Sequence, residues 1–259
     1  MLISRIALPS SLPDVSVYHI LYKSGDAVVA GYLARPKAPD IYPGLVYCRG
    51  GIRRVGMVQI TWIEHMAACG FVVCAPSYRG NEGGEGHDEF GGADREDVYG
   101  AFDLLAHLSW VDKKRLAVIG FSRGAMGAFL AAAEMNFVRA VVSWGGVVDL
   151  HLTYEERADL RRMLRRVVGH PVKDARAYME RSALYRAEDI TCPVLFIQGG
   201  KDEQVSPRHA RYMIERLERL GKPFTAWYYP QYGHHFPKAA HYGTISEACH
   251  WLKDVLSVP

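Results

Sequence analysis

The chain has 259 residues, 49 % of them hydrophobic and 23 % charged, enough apolar material for the core of one large α/β domain. Its formal charge of +3 is small and no Lys/Arg tract is dense, which argues against nucleic acid as a partner and for small molecules or peptides. No apolar run approaches the ~18 residues that span a bilayer, so no membrane partner is expected.

The opening stretch, Met1 to Val15, mixes one Arg with early Ser and Pro residues and reads as neither a signal nor a transit peptide. Extended segments at Ser16–Tyr22 and Ala27–Ala34 flank Lys23-Ser24-Gly25-Asp26, a turn signal that predicts a hairpin. After Pro43 short continuous apolar runs follow at Gly44–Cys48, Phe71–Ala75, Arg115–Phe121, Ala140–Trp144, Pro193–Ile197 and Phe224–Tyr229. Runs apolar on both faces suit strands buried in a parallel sheet.

Helical spacing fills the intervals. Val98, Ala101, Phe102, Leu105 and Leu108 form one stripe, with Glu96 and Asp97 placing negative charge in its first turn. Ala210, Met213, Ile214 and Leu217 form another, stopped by Gly221 and Pro223, and Ile245, Ala248, Cys249 and Leu252 form the last. The alternation predicts an α/β fold with a doubly wound, mostly parallel sheet, residues 1–259 forming a single domain. From about 147 to 190 it breaks. There Leu160, Met163, Leu164, Val167 and Val168 oppose Arg157, Arg161, Arg162, Arg165 and Arg166, which predicts a helical lid insertion over one end of the sheet.

The five cysteines are an odd number, lie mostly in apolar runs and lack C-x-x-C spacing. They read as buried free thiols, so a reducing, cytoplasmic setting with no metal and no cofactor is expected. Arg79 to Gly86 is glycine-rich but lacks the Lys-Ser/Thr of a phosphate loop and carries two glutamates, so a structural loop is expected there.

Chemistry enters at Gly120-Phe121-Ser122-Arg123-Gly124. It follows the apolar run Leu116–Ile119 and precedes the helix-forming Ala125–Ala133. This is the strand–turn–helix setting of a G-x-S-x-G nucleophile elbow. The tight turn leaves no room for side chains two residues either side of the serine. It lifts Oγ above the sheet and aims the Arg123 N–H, at a helix N-terminus, toward a developing oxyanion.

A serine hydroxyl needs a base, and the base needs a group to fix its tautomer. In α/β-hydrolases the order along the chain is Ser, acid, His. Asp202 ends the strand and glycine turn Cys192–Lys201, with Asp149 as the rival acid. His234 lies on the loop after the strand Phe224–Tyr229, preceded by Gly233, with the adjacent His235 as the alternative. A second oxyanion donor is expected after the first long central strand, at the N–H of Gly51 or of Ile52.

As a set these residues resemble the catalytic domain of the prolyl oligopeptidase family of serine peptidases, acylaminoacyl-peptidase-like and dienelactone-hydrolase-like members among them. The resemblance runs from about Ala30 to the C-terminus. Besides the Ser122 elbow it rests on Arg49-Gly50-Gly51, Ser77-Tyr78-Arg79-Gly80, Arg181-Ser182-Ala183-Leu184-Tyr185, Gln198-Gly199-Gly200-Lys201-Asp202-Glu203-Gln204-Val205 and Tyr229-Pro230-Gln231-Tyr232-Gly233-His234-His235-Phe236. It implies an α/β-hydrolase fold, Ser122, Asp202 and His234 as catalytic triad, and Gly51 and Arg123 as oxyanion donors. The chain departs from the family where Arg49 replaces a common His, where Arg123 replaces a frequent Tyr, and in having no β-propeller ahead of the hydrolase residues.

The expected function is a serine hydrolase working through an acyl-enzyme, a serine peptidase first and a carboxylesterase second, on a short peptide or small ester. A non-catalytic binding protein on the same fold is the remote alternative. Arg161 and Arg165 are expected to hold a substrate carboxylate. A moderately apolar surface leaves room for a homodimer.

Overall fold

The computed structural model describes residues 1–257, and the last two residues of the expected domain lie outside the described residues. Nine strands form one sheet: β1 (Leu2–Leu8), β2 (Val15–Ser24), β3 (Ala27–Pro36), β4 (Tyr42–Cys48), β5 (Val72–Pro76), β6 (Val111–Phe121), β7 (Val138–Trp144), β8 (Val194–Gly199) and β9 (Phe224–Tyr229). Their spatial order is β1-β2-β3-β5-β4-β6-β7-β8-β9. Pairing is antiparallel from β1 to β5 along that order and parallel from β5 to β9.

The central strands are covered on both faces because side chains alternate across a strand. On β4, β6, β7 and β8 the residues Val46, Val118, Val141 and Phe196 join one core, and Leu45, Ile119, Val142 and Ile197 join the other. Helices α2 (Arg95–His107), α3 (Gly124–Glu134) and α7 (Arg208–Arg219) cover the first face through Phe102, Phe129 and Met213. Helices α1 (Ile60–Ala68) and α8 (Lys238–Leu256) cover the second through Ile63, Met66, Ile245 and Leu252. The expected doubly wound α/β architecture is therefore the observed one.

Two elements were not among the expected ones: β1, which lacks a periodic signal, and α1, although its Ile60, Ile63, Met66 and Ala67 fall at helical spacing. Strand β1 is an edge strand whose middle five residues are exposed, so its pairing with β2 leaves no alternating apolar pattern. Helix α1 buries Glu64 along with its apolar residues, and Glu64 accepts from the backbone N–H and hydroxyl of Ser11. Asp97 sits in the first turn of α2 as expected, but its role differs. It is fully buried and accepts from Arg79 Nη2 at 2.9 Å and Ser24 Oγ at 2.7 Å, tying the glycine-rich Arg79–Gly86 loop to the sheet.

Between β7 and β8 the chain is helical: α4 (Leu150–Glu156), a 3₁₀ turn (Ala158–Leu160), α5 (Arg161–Val167), α6 (Ala175–Glu180) and a 3₁₀ segment (Ala183–Asp189). Leu160, Met163, Leu164, Val167 and Val168 pack with Phe90, Met126, Val147 and Val205 in a third apolar cluster. The expected inward face is present, on the 3₁₀ turn and α5.

Two buried histidines should make stability acid-sensitive. His209 on α7 is 1 % exposed and accepts at Nδ1 from the Val148 N–H at 3.3 Å, a bond that a protonated Nδ1 cannot accept. His241 on α8 lies between the rings of Trp62 and Trp144, at 4.0 and 4.5 Å. Burial, assisted by Arg208 and opposed by Asp202, lowers His209 to about 4, and burial with His235 lowers His241 to about 4. The unfolded chain then binds more protons than the fold between about pH 4 and 6.5, so this stability is intact above 6.5 and lost as pH falls toward 4. The penalty for charging them approaches about 3 kcal/mol for His209 and is smaller for the less enclosed His241. Urea midpoints should drop between pH 7 and 4.5 with a shallower slope in His241→Phe; an unchanged slope would contradict the assignment.

Candidate active site

Ser122 stands between β6 and α3 with φ at 57°, in the left-handed region that a non-glycine residue rarely adopts. Three main-chain bonds hold it there. Its N–H donates to the Trp144 carbonyl at 2.9 Å, and its own carbonyl accepts from Ala125 at 3.1 Å and Val147 at 3.0 Å. A Cβ at Gly120 would collide with Ala125 backbone, and one at Gly124 with the Cys48 carbonyl. Both glycines are therefore steric requirements of the turn. Among the described residues the Arg123 N–H has no acceptor, so it is open to a ligand.

Asp202 follows β8, and its carboxylate is 1 % exposed. Oδ1 accepts from the backbone of Gln204 at 2.9 Å and Val205 at 2.8 Å, while Oδ2 lies 2.8 Å from His234 Nδ1. With both bonds to Oδ1 supplied by main chain, Oδ2 faces the imidazole and accepts a second, longer bond from Gln198 Nε2 at 3.4 Å. The contact with the imidazole keeps the proton on Nδ1 and leaves Nε2 as an acceptor. Phe121 packs 5.0 Å from the His234 ring.

The structure separates the alternatives. Asp149 caps α4, accepting from the His151 and Leu152 N–H groups at 2.8 and 3.4 Å, and does not reach His234. His235 is exposed and has no hydrogen bond among the described residues. Ser122 Oγ and His234 are not hydrogen-bonded to each other, but both line one cavity of about 450 Å³. Catalytic hydrogen bonds commonly tighten only when substrate is bound.

That cavity is lined by Tyr47, Ile52, Met57, Trp62, Phe90, Phe121, Val147, Leu160, Met163 and Val205, together with Gly50 and Gly51. Gly51 and Arg123 thus border the same space as Ser122. The Arg123 side chain is taken up beneath it. Its guanidinium bonds the Gly51 carbonyl at 2.7 Å, Asp88 at 2.7 Å and Asp94, between the rings of Tyr78 and Phe90. Burial disfavours the charge, yet Asp94 and Asp88 hold the guanidinium pKa above its ordinary value.

The expectation for Arg161 and Arg165 is corrected. Both are exposed and outside the cavity lining, held by the Tyr154 carbonyl at 2.9 Å and the Tyr154 hydroxyl at 2.6 Å. Turning Leu160, Met163 and Leu164 inward points these arginines to solvent, because residues one position away on a helix leave by another face. Arg157 lines the cavity instead, bonded to Asp159 at 2.9 Å and the Gln204 carbonyl at 2.7 Å.

Sequence reasoning also missed Gly145, although the Gly145-Gly146 pair directly after β7 was a visible signal. Gly145 has φ at 50°, and a Cβ there would stand 3.1 Å from Asp202 Oδ2 and 3.2 Å from His234 Nδ1. Gly145→Ala should cost about 1–3 kcal/mol of backbone strain and lower kcat by roughly 10–100-fold through the displaced pair. Steady-state kinetics beside a thermal melt would show both, and wild-type kcat would mean that the contact is slack.

Residues 58–258 match the prolyl oligopeptidase family. The chain belongs to that family.

An uncharacterized peptidase of Bacillus subtilis, YtmA, is 44 % identical over 98 % of this chain and 100 % of its own length. Among solved structures, a puromycin-hydrolyzing peptidase of Mycobacterium tuberculosis superposes with a TM-score of 0.81 at 25 % identity, covering 96 % of this chain and 41 % of that one. An acetyl xylan esterase from Paenibacillus sp. R4 superposes at 0.76 with 18 % identity over 96 % and 88 % of the two chains, a likeness of fold alone. The chain thus spans about two fifths of the Mycobacterium peptidase it matches. Membership makes it a serine hydrolase of the peptidase kind. No helix among the described residues is long and apolar enough to cross a membrane.

Proposed function

We propose that this serine hydrolase cleaves short peptides or small esters through an acyl-enzyme on Ser122. The observation that carries the reading is the buried Asp202–His234 pair, 2.8 Å apart, opening onto the cavity that holds the strained Ser122. In this mechanism His234 Nε2 removes the Oγ proton as Oγ bonds to the substrate carbonyl carbon. The Gly51 and Arg123 N–H groups receive the resulting oxyanion. Collapse expels the amine or alcohol, which takes the proton from His234. Water, deprotonated by the same imidazole, then releases the acid and restores Ser122.

The cavity suits a neutral, apolar acyl group, since its charged side chains among the described residues are Arg123 and Arg157, both already paired. Among the described residues the lining offers no unpaired charged side chain to hold a peptide terminus, which supports the carboxylesterase alternative as a second reading. The α4–α5 segment serves as the lid, closing the cavity with Leu160 and Met163. All five cysteines are free, which supports a reducing, cytoplasmic setting.

A fluorophosphonate probe should label the wild-type protein once, at Ser122. Comparing p-nitrophenyl esters with aminoacyl p-nitroanilides then separates esterase from peptidase. Absence of labelling on the folded protein would remove the reading.

A further inference from the structure

We propose that Arg49 is the positioning residue of the oxyanion site, turning the Gly51 N–H toward the substrate by holding the carbonyl of the same peptide unit. The inference rests on the acyl-transfer reading above and assigns a role to a side chain that touches no reacting atom.

Arg49 follows β4 and is completely buried. A guanidinium in that position is costly unless its donors are met. Here they are met chiefly by main-chain carbonyls. Nε and Nη2 reach the Ser77 carbonyl at 3.2 and 2.8 Å, Nη1 reaches those of Gly50 at 3.0 Å and Val55 at 3.1 Å, and Nη2 reaches that of Arg53 at 3.0 Å. Asp88 lies farther away, 3.8 Å from Nη2, and bonds Arg123 more closely, at 2.7 Å. The charge of Arg49 is thus directed into the loop that follows it.

That loop turns inward through left-handed backbone at Gly51, Arg53 and Gly56, with φ of 64°, 53° and 67°. Among the described residues all peptide bonds are trans, so each carbonyl points opposite to the N–H of the next residue. Drawing the Gly50 carbonyl onto Arg49 sends the Gly51 N–H the other way. Drawing the Gly51 carbonyl onto Arg123 Nη1, at 2.7 Å, does the same for the Ile52 N–H. Neither N–H has an acceptor among the described residues, and Gly50, Gly51 and Ile52 all line the cavity with Ser122. Gly50 packs so closely on the elbow that a Cβ there would stand 2.9 Å from the Ser122 Cβ. Preorganised amides of this kind need no reorganisation when charge develops.

The test is Arg49→Lys, which keeps the charge but lacks the planar fork, alongside Arg49→Gln. Each is measured for kcat and KM on a p-nitrophenyl ester. Affinity for a trifluoromethyl ketone, which forms a tetrahedral adduct, is compared with affinity for the acid product. Losing one oxyanion donor altogether costs on the order of 10²–10³ in turnover, so misaiming it should lower kcat by roughly 10–100-fold. KM and acid-product affinity should stay within about threefold, while ketone affinity falls in parallel with kcat, a split that general loosening would not give. Wild-type kcat in folded Arg49→Lys overturns the proposal, as does equal loss of ketone and acid affinity. Loss of the native fold in Arg49→Lys also overturns it, since Arg49 would then be a folding residue. A wild-type protein that neither labels nor hydrolyses would instead defeat the acyl-transfer reading.

Discussion

Ser122→Ala should lower kcat by on the order of 10⁴–10⁶-fold while leaving the fold intact. The substitution removes the one atom that would bond the acyl group. Oγ has no hydrogen bond among the described residues, and the backbone at 122 is held by the main chain of Trp144, Ala125 and Val147. Stability should therefore move by no more than about 0.5 kcal/mol, as for a substitution that breaks no packed or bonded feature. Steady-state hydrolysis, fluorophosphonate labelling and a circular-dichroism melt on one preparation would read all three quantities. Activity within tenfold of wild type would place the nucleophile elsewhere.

Asp202→Asn should be almost as damaging, with kcat down by about 10⁴-fold, for a reason visible in its hydrogen bonds. Oδ1 accepts from the N–H groups of Gln204 and Val205, so an asparagine would keep its oxygen there. Its amide nitrogen would then face His234 Nδ1, where Oδ2 now sits at 2.8 Å. A donor in that place forces the imidazole to accept at Nδ1 and carry its proton on Nε2. The ring keeps its position and loses its capacity as a base. Imidazole NMR resonances would show the exchanged tautomer, and kcat close to wild type would show that His234 does not depend on Asp202.

The fold was legible wherever burial leaves a period. The runs around Val46, Val118, Val142 and Ile197 are apolar on both faces because helices cover both sides of β4, β6, β7 and β8. Strand β1 was illegible because an exposed edge strand needs no such pattern. The arginine face of the insertion was read as a face correctly, but its use was misjudged. Amphipathicity says which side is buried without saying what the other side meets, and Arg161 and Arg165 meet the Tyr154 carbonyl and hydroxyl.

Sequence alone named the candidate residues and their order along the chain. Strand, elbow and helix around Ser122, followed in order by Asp202 and His234, are local patterns, since each residue sits where a strand ends and the chain must turn. Only the tertiary structure decided between neighbours. Asp202 reaches the imidazole while Asp149 caps a helix, and His234 is buried against that carboxylate while His235, which also lines the cavity, has no carboxylate partner among the described residues. The role of Arg49 was likewise hidden. Its partners Gly50, Arg53, Val55 and Ser77 are carbonyl groups, which every residue carries, so no residue type announces them and only the folded backbone brings them to one guanidinium.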